Sequence, residues 1–179
     1  ADKTNVSRFM ATELWTDSQV NDRRVTYMNR QTKAVRKPKA ESAIIFDDTL
    51  CEHVGSLFEY VDRHYDHGDN SYPIAHNPVT SHYVSGAVRF PVDLRLYRRY
   101  EEVTQWERFV FKYFPITEIP QKKKERQRLH KQVDEILLQD PDFLQLHNQF
   151  RTKIDLAIEL LHSAITHRLR FDILLFEGW

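Results

Sequence analysis

Residues 42–50 read Ser-Ala-Ile-Ile-Phe-Asp-Asp-Thr-Leu, an unbroken apolar run that closes on two carboxylates. A run without polar alternation is the pattern of a strand covered on both faces, as in a sheet layered with helices. Neighbouring side chains on a strand point to opposite faces, so only one of Asp47 and Asp48 can face a given site without a local twist. A second short apolar run, Phe-Asp-Ile-Leu-Leu-Phe at 171–176, predicts another buried strand and is followed by Glu177. Between them, Gly68, Asp69, Asn70 and Pro73 mark a loop, and Thr80–Val88 and Phe90–Tyr97 read as extended segments, with Pro91 pointing to an edge or bulged strand. Helices are expected over Glu101–Phe114, Lys122–Leu138 and Phe150–Arg168. In the last of these, Ile154, Ile158, Leu161 and Ile165 recur at helical spacing and predict the packing face, flanked by Leu156 and Leu160. If the first and last strands are parallel neighbours joined through that helix, the carboxylates at their ends emerge together.

Composition narrows the class without naming it. With 41% apolar and 29% charged residues over 179 positions, disorder and collagen-like repeats are excluded, and the length suits one domain or one domain with part of another. Lys plus Arg and Asp plus Glu both number 26, so any affinity for nucleic acid must come from a local patch. One such patch is visible: between Arg23 and Ala40 stand Arg23, Arg24, Arg30, Lys33, Arg36, Lys37 and Lys39, with no acidic residue. Residues 5–40 have helical spacing, with Val6, Phe9, Met10 and Leu14 on one face. A single cysteine, Cys51, rules out an internal disulfide and a multi-cysteine zinc site, which suits a reducing, cytosolic setting. No apolar stretch approaches the roughly 18 residues of a membrane span. The start at Ala-Asp-Lys-Thr-Asn and the stop at Leu-Phe-Glu-Gly-Trp lead us to expect a piece of a longer chain.

Two carboxylates brought together at strand ends are hard oxygen ligands suited to Mg²⁺ or Mn²⁺. A pair of such ions about 3.5–4 Å apart stabilises the attacking and leaving oxygens of a displacement at phosphorus. Ile-Ile-Phe-Asp-Asp-Thr-Leu is followed in order by Tyr65-Asp66-His67, Ala75-His76-Asn77-Pro78-Val79, Phe90-Pro91-Val92 and Arg95-Leu96-Tyr97. Then come Arg151-Thr152-Lys153-Ile154-Asp155-Leu156-Ala157 and Leu174-Leu175-Phe176-Glu177-Gly178-Trp179. Together with Ser7-Arg8-Phe9 and Trp15, this series resembles the DDE transposases of bacterial insertion sequences over about positions 5–179. The resemblance implies an α/β fold with a ribonuclease H-like mixed sheet, a crossover helix, a helical insertion at about 101–150 and a preceding helical segment. Residues 1–40 would be the end of a helical DNA-binding region with a basic linker, and 41–179 the front part of the catalytic core.

By the same resemblance Asp48 is the first catalytic aspartate and a metal ligand, with Asp47 beside it and Thr49 in support. His53 stands where many relatives carry a basic residue. Glu177 stands where the family has its second aspartate; the extra methylene moves the carboxylate by about 1.5 Å, against a tolerance of about 0.5 Å for such sites. The third carboxylate of the family is a glutamate well downstream, so residues 1–179 alone are expected to be a poor catalyst. The implied setting is a magnesium- or manganese-dependent homodimer on double-stranded DNA, acting on transposon ends and target in a bacterial or archaeal cytoplasm, associated with the nucleoid and not with a membrane. Lys153 joins the basic residues above as a candidate DNA contact.

Other readings stay open. A non-catalytic descendant could keep the fold and bind DNA, and a metal-dependent phosphohydrolase could act on small substrates. Haloacid dehalogenase phosphatases also carry an aspartate pair after an apolar strand, but theirs are two positions apart. For His64, Asp66, His67, Asp69 and His76 we expect a hydrogen-bonded loop ahead of a transition-metal site. Trp106 and Phe109–Phe114 are expected to form the apolar face of the inserted helix.

Overall fold

The computed structural model describes residues 7–8, 11, 15–36, 41–54, 58–66 and 68–176. In chain order the elements are α1 (Asp17–Thr32), β1 (Ser42–Asp48), β2 (Cys51–Glu52), β3 (Asp62–Arg63), β4 (Ile74–Ser85), β5 (Val88–Tyr97), α2 (Tyr100–Val103), α3 (Trp106–Tyr113), α4 (Lys123–Leu137), α5 (Pro141–His147), α6 (Lys153–Thr166) and β6 (Ile173–Phe176). The chain divides into two compact units, one of Ala1–Thr49, Pro78–Arg95 and Ala157–Trp179, the other of Leu50–Asn77 and Leu96–Leu156. The expected α/β class with a mixed sheet is present. Among the described residues no helix is long and apolar enough to cross a membrane. Val6, Phe9, Met10 and Leu14 lie outside the described residues.

The first unit is built on β1. It pairs antiparallel with β4, from Ser42 opposite Ser85 to Asp48 opposite Val79, and parallel with β6, from Ala43 opposite Ile173 to Phe46 opposite Phe176. A two-residue connection leads from β4 to β5, and Gly86 takes the left-handed φ of 60° that this turn requires. On one face of β1, Ser42, Ile44 and Phe46 are buried, while Ala43, Ile45 and Asp47 are half-buried. Burial of Ile44, Phe46, Val79, Tyr83, Phe90 and Val92 forms the core of this unit, at about 2 kcal/mol for each large side chain. As Pro91 indicated, β5 pairs only with β4 among the described residues. Its outer carbonyls are capped from α1: Arg24 donates to Pro91 O at 2.7 Å and Val92 O at 2.8 Å, and Asn21 Nδ2 to Val92 O at 3.1 Å. Those bonds occupy groups that would otherwise template another strand.

Three expectations are corrected. Neither face of β6 is buried: Ile173, Leu174, Leu175 and Phe176 are 38–56% exposed, because no described element covers them. The packing face of α6 is Leu156, Ala157, Leu160 and Ala164, while Ile154, Ile158 and Ile165 are exposed. This helix is apolar on two sides, and alanines at 157 and 164 let one side approach its neighbours closely, so periodicity alone selected the wrong stripe. Third, the helix expected over Glu101–Phe114 is two helices, α2 and α3, broken where Gln105 takes a left-handed φ of 52°.

In the second unit β2 and β3 pair antiparallel with the start of β4, placing Cys51 opposite His76 and Asp62 opposite Ala75. Its helical region, which includes the expected insertion, encloses a core of Trp106, Phe109, Val110, Val133, Leu137 and Phe143. Trp106 and Phe109, with Phe114 packed against them, form the apolar face foreseen, whereas Phe111 and Tyr113 of the same run are exposed. Helix α5 was not anticipated, although Asp140-Pro141 is a start signal: Asp140 accepts from the N–H groups of Asp142 and Phe143, and proline occupies the first turn.

Candidate active site

The carboxyl end of β1 carries both aspartates within the first unit. Asp47 lies opposite Thr80, whose Oγ1 donates to the Asp47 carbonyl at 3.2 Å. One carboxylate oxygen of Asp47, Oδ1, is buried and has no hydrogen-bond partner among the described residues. Asp48 is half-buried on the other face, in line with Phe46 and opposite Val79. The antiparallel pairing runs past it, with Thr49 N donating to Pro78 O at 3.3 Å. On the other side of β1 the rings of Phe46 and Phe176 stack with centroids 4.9 Å apart. The described end of β6 is therefore one residue short of Asp47 and two short of Asp48 along the parallel pair. Glu177 lies outside the described residues.

This end of the sheet has the donor chemistry of a hard-cation site. Carboxylate oxygens suit Mg²⁺ or Mn²⁺, and a buried carboxylate oxygen without a donor is a group that a cation would satisfy. Among the described residues no group of three or more His, Cys, Asp or Glu side chains is arranged to hold a metal. Asp47 and Asp48 face opposite sides, so each side of the strand offers one described carboxylate.

The basic residues singled out in the sequence divide by what they touch. Arg24 is committed to the β5 edge and to Asn21. Arg36 donates to Thr32 Oγ1 at 2.6 Å and lies over the Tyr83 ring at 4.7 Å. Arg30 and Lys33 project from one face of α1 into a cavity of about 900 Å³, also lined by Thr26, Asn29, Arg36, Ser42, Tyr83 and Ser85. Arg23 borders a smaller neighbouring hollow of about 320 Å³ with Tyr27 and Arg30. In the second unit, Lys153 lies over the Tyr97 ring at 5.4 Å. Lys37 and Lys39 lie outside the described residues. Two residues of the large cavity were not foreseen, Arg168 and Arg170. In sequence Arg168 is the last residue of the expected helix and Arg170 follows it, and only the turn after α6 brings them beside α1.

The histidine-rich loop of the second unit is tied by hydrogen bonds. His76 Nε2 lies 2.7 Å from the Glu59 carbonyl, which can only accept, so His76 donates there. Its Nδ1, 2.7 Å from His53 Nε2, is then the acceptor for a neutral His76, and His53 donates. Asp66 Oδ1 accepts from Gly68 N at 2.7 Å and Tyr65 donates to Asn70 at 2.7 Å. Burial holds the pKa of His64 below the ordinary histidine value. His67 lies outside the described residues.

The helical region of the second unit holds a different set of charges. The His130 ring stacks on Trp106 at 4.0 Å, with Nδ1 3.0 Å from Asp134 and Nε2 3.5 Å from Glu101. Burial alone would lower its pKa, but hydrogen bonds to Asp134 and Glu101 prevail and raise it to about 9. His130 in turn lowers the pKa of Glu101 to about 2. Trp106 Nε1 donates to Asp134 at 2.7 Å. Nearby, Asp140 accepts from Lys112 and Tyr113, both at 2.6 Å, and its carboxyl titrates well below the usual range. No model of a known protein family, no curated protein and no solved structure matches this chain.

Proposed function

We propose that this chain is the front part of the catalytic core of a DDE-type DNA transposase with a ribonuclease H-like fold. It would use Mg²⁺ or Mn²⁺ to cleave and rejoin phosphodiester bonds at the ends of an insertion sequence. The observation that carries the reading is the parallel pairing of β1 with β6, which has Phe46 beside Phe176 and leads on β1 directly into Asp47 and Asp48. That register is what a strand, crossover helix and strand arrangement needs to gather acidic residues at one end of a sheet. In this reading Asp48 is the first metal ligand, Asp47 beside it reaches the same ion only through a local twist of the strand end, and Glu177 is assigned as the second ligand on sequence grounds. Bound metal would supply Lewis-acid stabilisation to both oxygens of the displacement. Water attacks phosphorus, the bond to the 3′-oxygen breaks, and the released 3′-hydroxyl later attacks a target phosphodiester, whose own bond to the 3′-oxygen breaks and leaves a target 3′-hydroxyl. The working form proposed is a homodimer on double-stranded DNA in a prokaryotic cytoplasm.

The test is cleavage of labelled duplexes carrying the element's ends by the full-length protein, with the downstream part of the proposed core, in Mn²⁺ or Mg²⁺. Asp48→Asn should reduce metal-dependent cleavage to background, and Glu177→Asp should keep or raise it. Cleavage indifferent to Asp48→Asn overturns the assignment. DNA binding without metal-dependent cleavage in either the parent or Glu177→Asp points instead to a non-catalytic descendant. Turnover of a generic phosphodiester without DNA points to a phosphohydrolase.

A further inference from the structure

We infer that the cavity between α1 and the turn after α6 is a second, non-catalytic site, built to hold phosphates of a DNA duplex at the opposite end of β1 from Asp48. Its identity as a DNA site rests on the reading above; its chemistry does not. Five cationic side chains line it, Arg30, Lys33, Arg36, Arg168 and Arg170, and none of them is paired with a carboxylate among the described residues. The single acid in the lining, Asp172, is engaged by Ser42, whose backbone N and Oγ donate to its Oδ2 at 3.1 and 3.0 Å. Unpaired cations converging on one hollow of about 900 Å³ repel one another, and the arrangement becomes favourable when a polyanion enters.

A second observation points the same way. Helix α6 ends in a Schellman turn, in which Arg168 N donates to Ile165 O at 2.8 Å and Leu169 N to Ala164 O at 3.2 Å. Arg168 occupies the left-handed position of that turn, at φ 55°, where glycine is free of strain. Glycine would close the helix without that strain, whereas arginine at this position places a guanidinium in the lining of the cavity. Asp172 N donates to Ser42 O at 2.8 Å, which fixes the segment carrying both arginines to the start of β1.

Position sets the role. Ser42 lines the cavity and Asp48 is six residues further along an extended strand, so the two sites are separated by about 20 Å. That spacing excludes a common phosphate and corresponds to about six base pairs of duplex. The cavity therefore grips the DNA backbone at a distance from the proposed chemistry and reads no sequence of its own.

The experiment is fluorescence anisotropy of a labelled 20-base-pair duplex of arbitrary sequence, titrated with the protein in EDTA over a range of salt concentrations, with thermal melting alongside. The parent should bind with a steep salt dependence. Arg168→Gly and Arg170→Ala should each flatten the log–log salt slope by about one unit, with Arg168→Gly also raising the Tm. Unchanged affinity and slope in the double variant overturn the inference, whatever the cleavage assay shows. Loss of duplex binding in the double variant supports it even if Asp48→Asn proves silent in cleavage. Arg168-dependent binding to vesicles containing anionic lipid, without binding to the duplex, overturns DNA as the ligand.

Discussion

The helical region of the second unit and the two ends of β1 in the first unit treat charge in opposite ways. Around Trp106, His130 lies between Glu101 and Asp134, and Asp140 collects donors from Lys112, Tyr113 and two backbone N–H groups. At the ends of β1 matching fails. Asp47 keeps a buried carboxylate oxygen without a donor, and five basic side chains line one cavity with Asp172, none of them in an ion pair among the described residues. Matched buried charge specifies a fold and has no capacity left for a ligand, whereas unmatched charge costs stability until something binds. On the proposed reading the first region is structural and the second binds, with the same kinds of residue in both.

The largest effect should come from the packing beneath the first unit. Leu160→Ala, at a fully buried position of α6, should cost about 2–5 kcal/mol in urea unfolding. Ile158→Ala, two residues away and 48% exposed, should cost under about 1 kcal/mol. Equal losses would mean that both stripes of α6 are covered.

Next, Asp134→Ala should destabilise the helical region by about 1–3 kcal/mol, because the buried Trp106 N–H loses its acceptor. The neighbouring pair His130 and Glu101 makes this region sensitive to pH. His130 is raised from 6.5 to about 9, so its contribution is fully present below about pH 6.5 and fades as pH rises through about 9. Glu101 is lowered from 4.5 to about 2, so its contribution is present above about pH 4.5 and fades as pH falls through about 2. Melting curves should therefore show a plateau between those limits, and His130→Gln should remove the alkaline decline.

A smaller change of opposite sign is expected at the strand end. Asp47→Ala removes an unmatched buried oxygen and should leave stability unchanged or raise it by up to about 1 kcal/mol. Destabilisation comparable to Asp134→Ala would place Asp47 among the matched charges and erase the contrast. Smallest of all, Glu125→Gln should change stability by less than about 0.5 kcal/mol, since its pairing with Lys122 at 3.6 Å is surface-exposed.

How far these features could be read beforehand follows from the range of the forces involved. The run at 42–50 was legible as a strand because apolar patterning is local, and its parallel partnership with 173–176 followed from element order. Pro91 at an edge and the aromatic face at Trp106 were legible for the same reason. What escaped was tertiary. Which of two apolar stripes on α6 is buried depends on what faces it, and the exposure of β6 depends on what does not. The break at Gln105 is a left-handed residue with no glycine to announce it. Of the site, Asp48 and the α1 cations were visible as motif and charge run. Arg168 and Arg170 were not, since a turn after α6 sets them against residues more than a hundred positions earlier.

The central claim is that acidic side chains at the carboxyl end of β1 hold a divalent metal, and electron paramagnetic resonance titration of Mn²⁺ tests it without requiring turnover. Saturable Mn²⁺ binding to the parent chain that is lost in Asp48→Asn, with the melting curve unchanged, is the result expected. Equal Mn²⁺ binding by the parent and Asp48→Asn, or none by either, contradicts it.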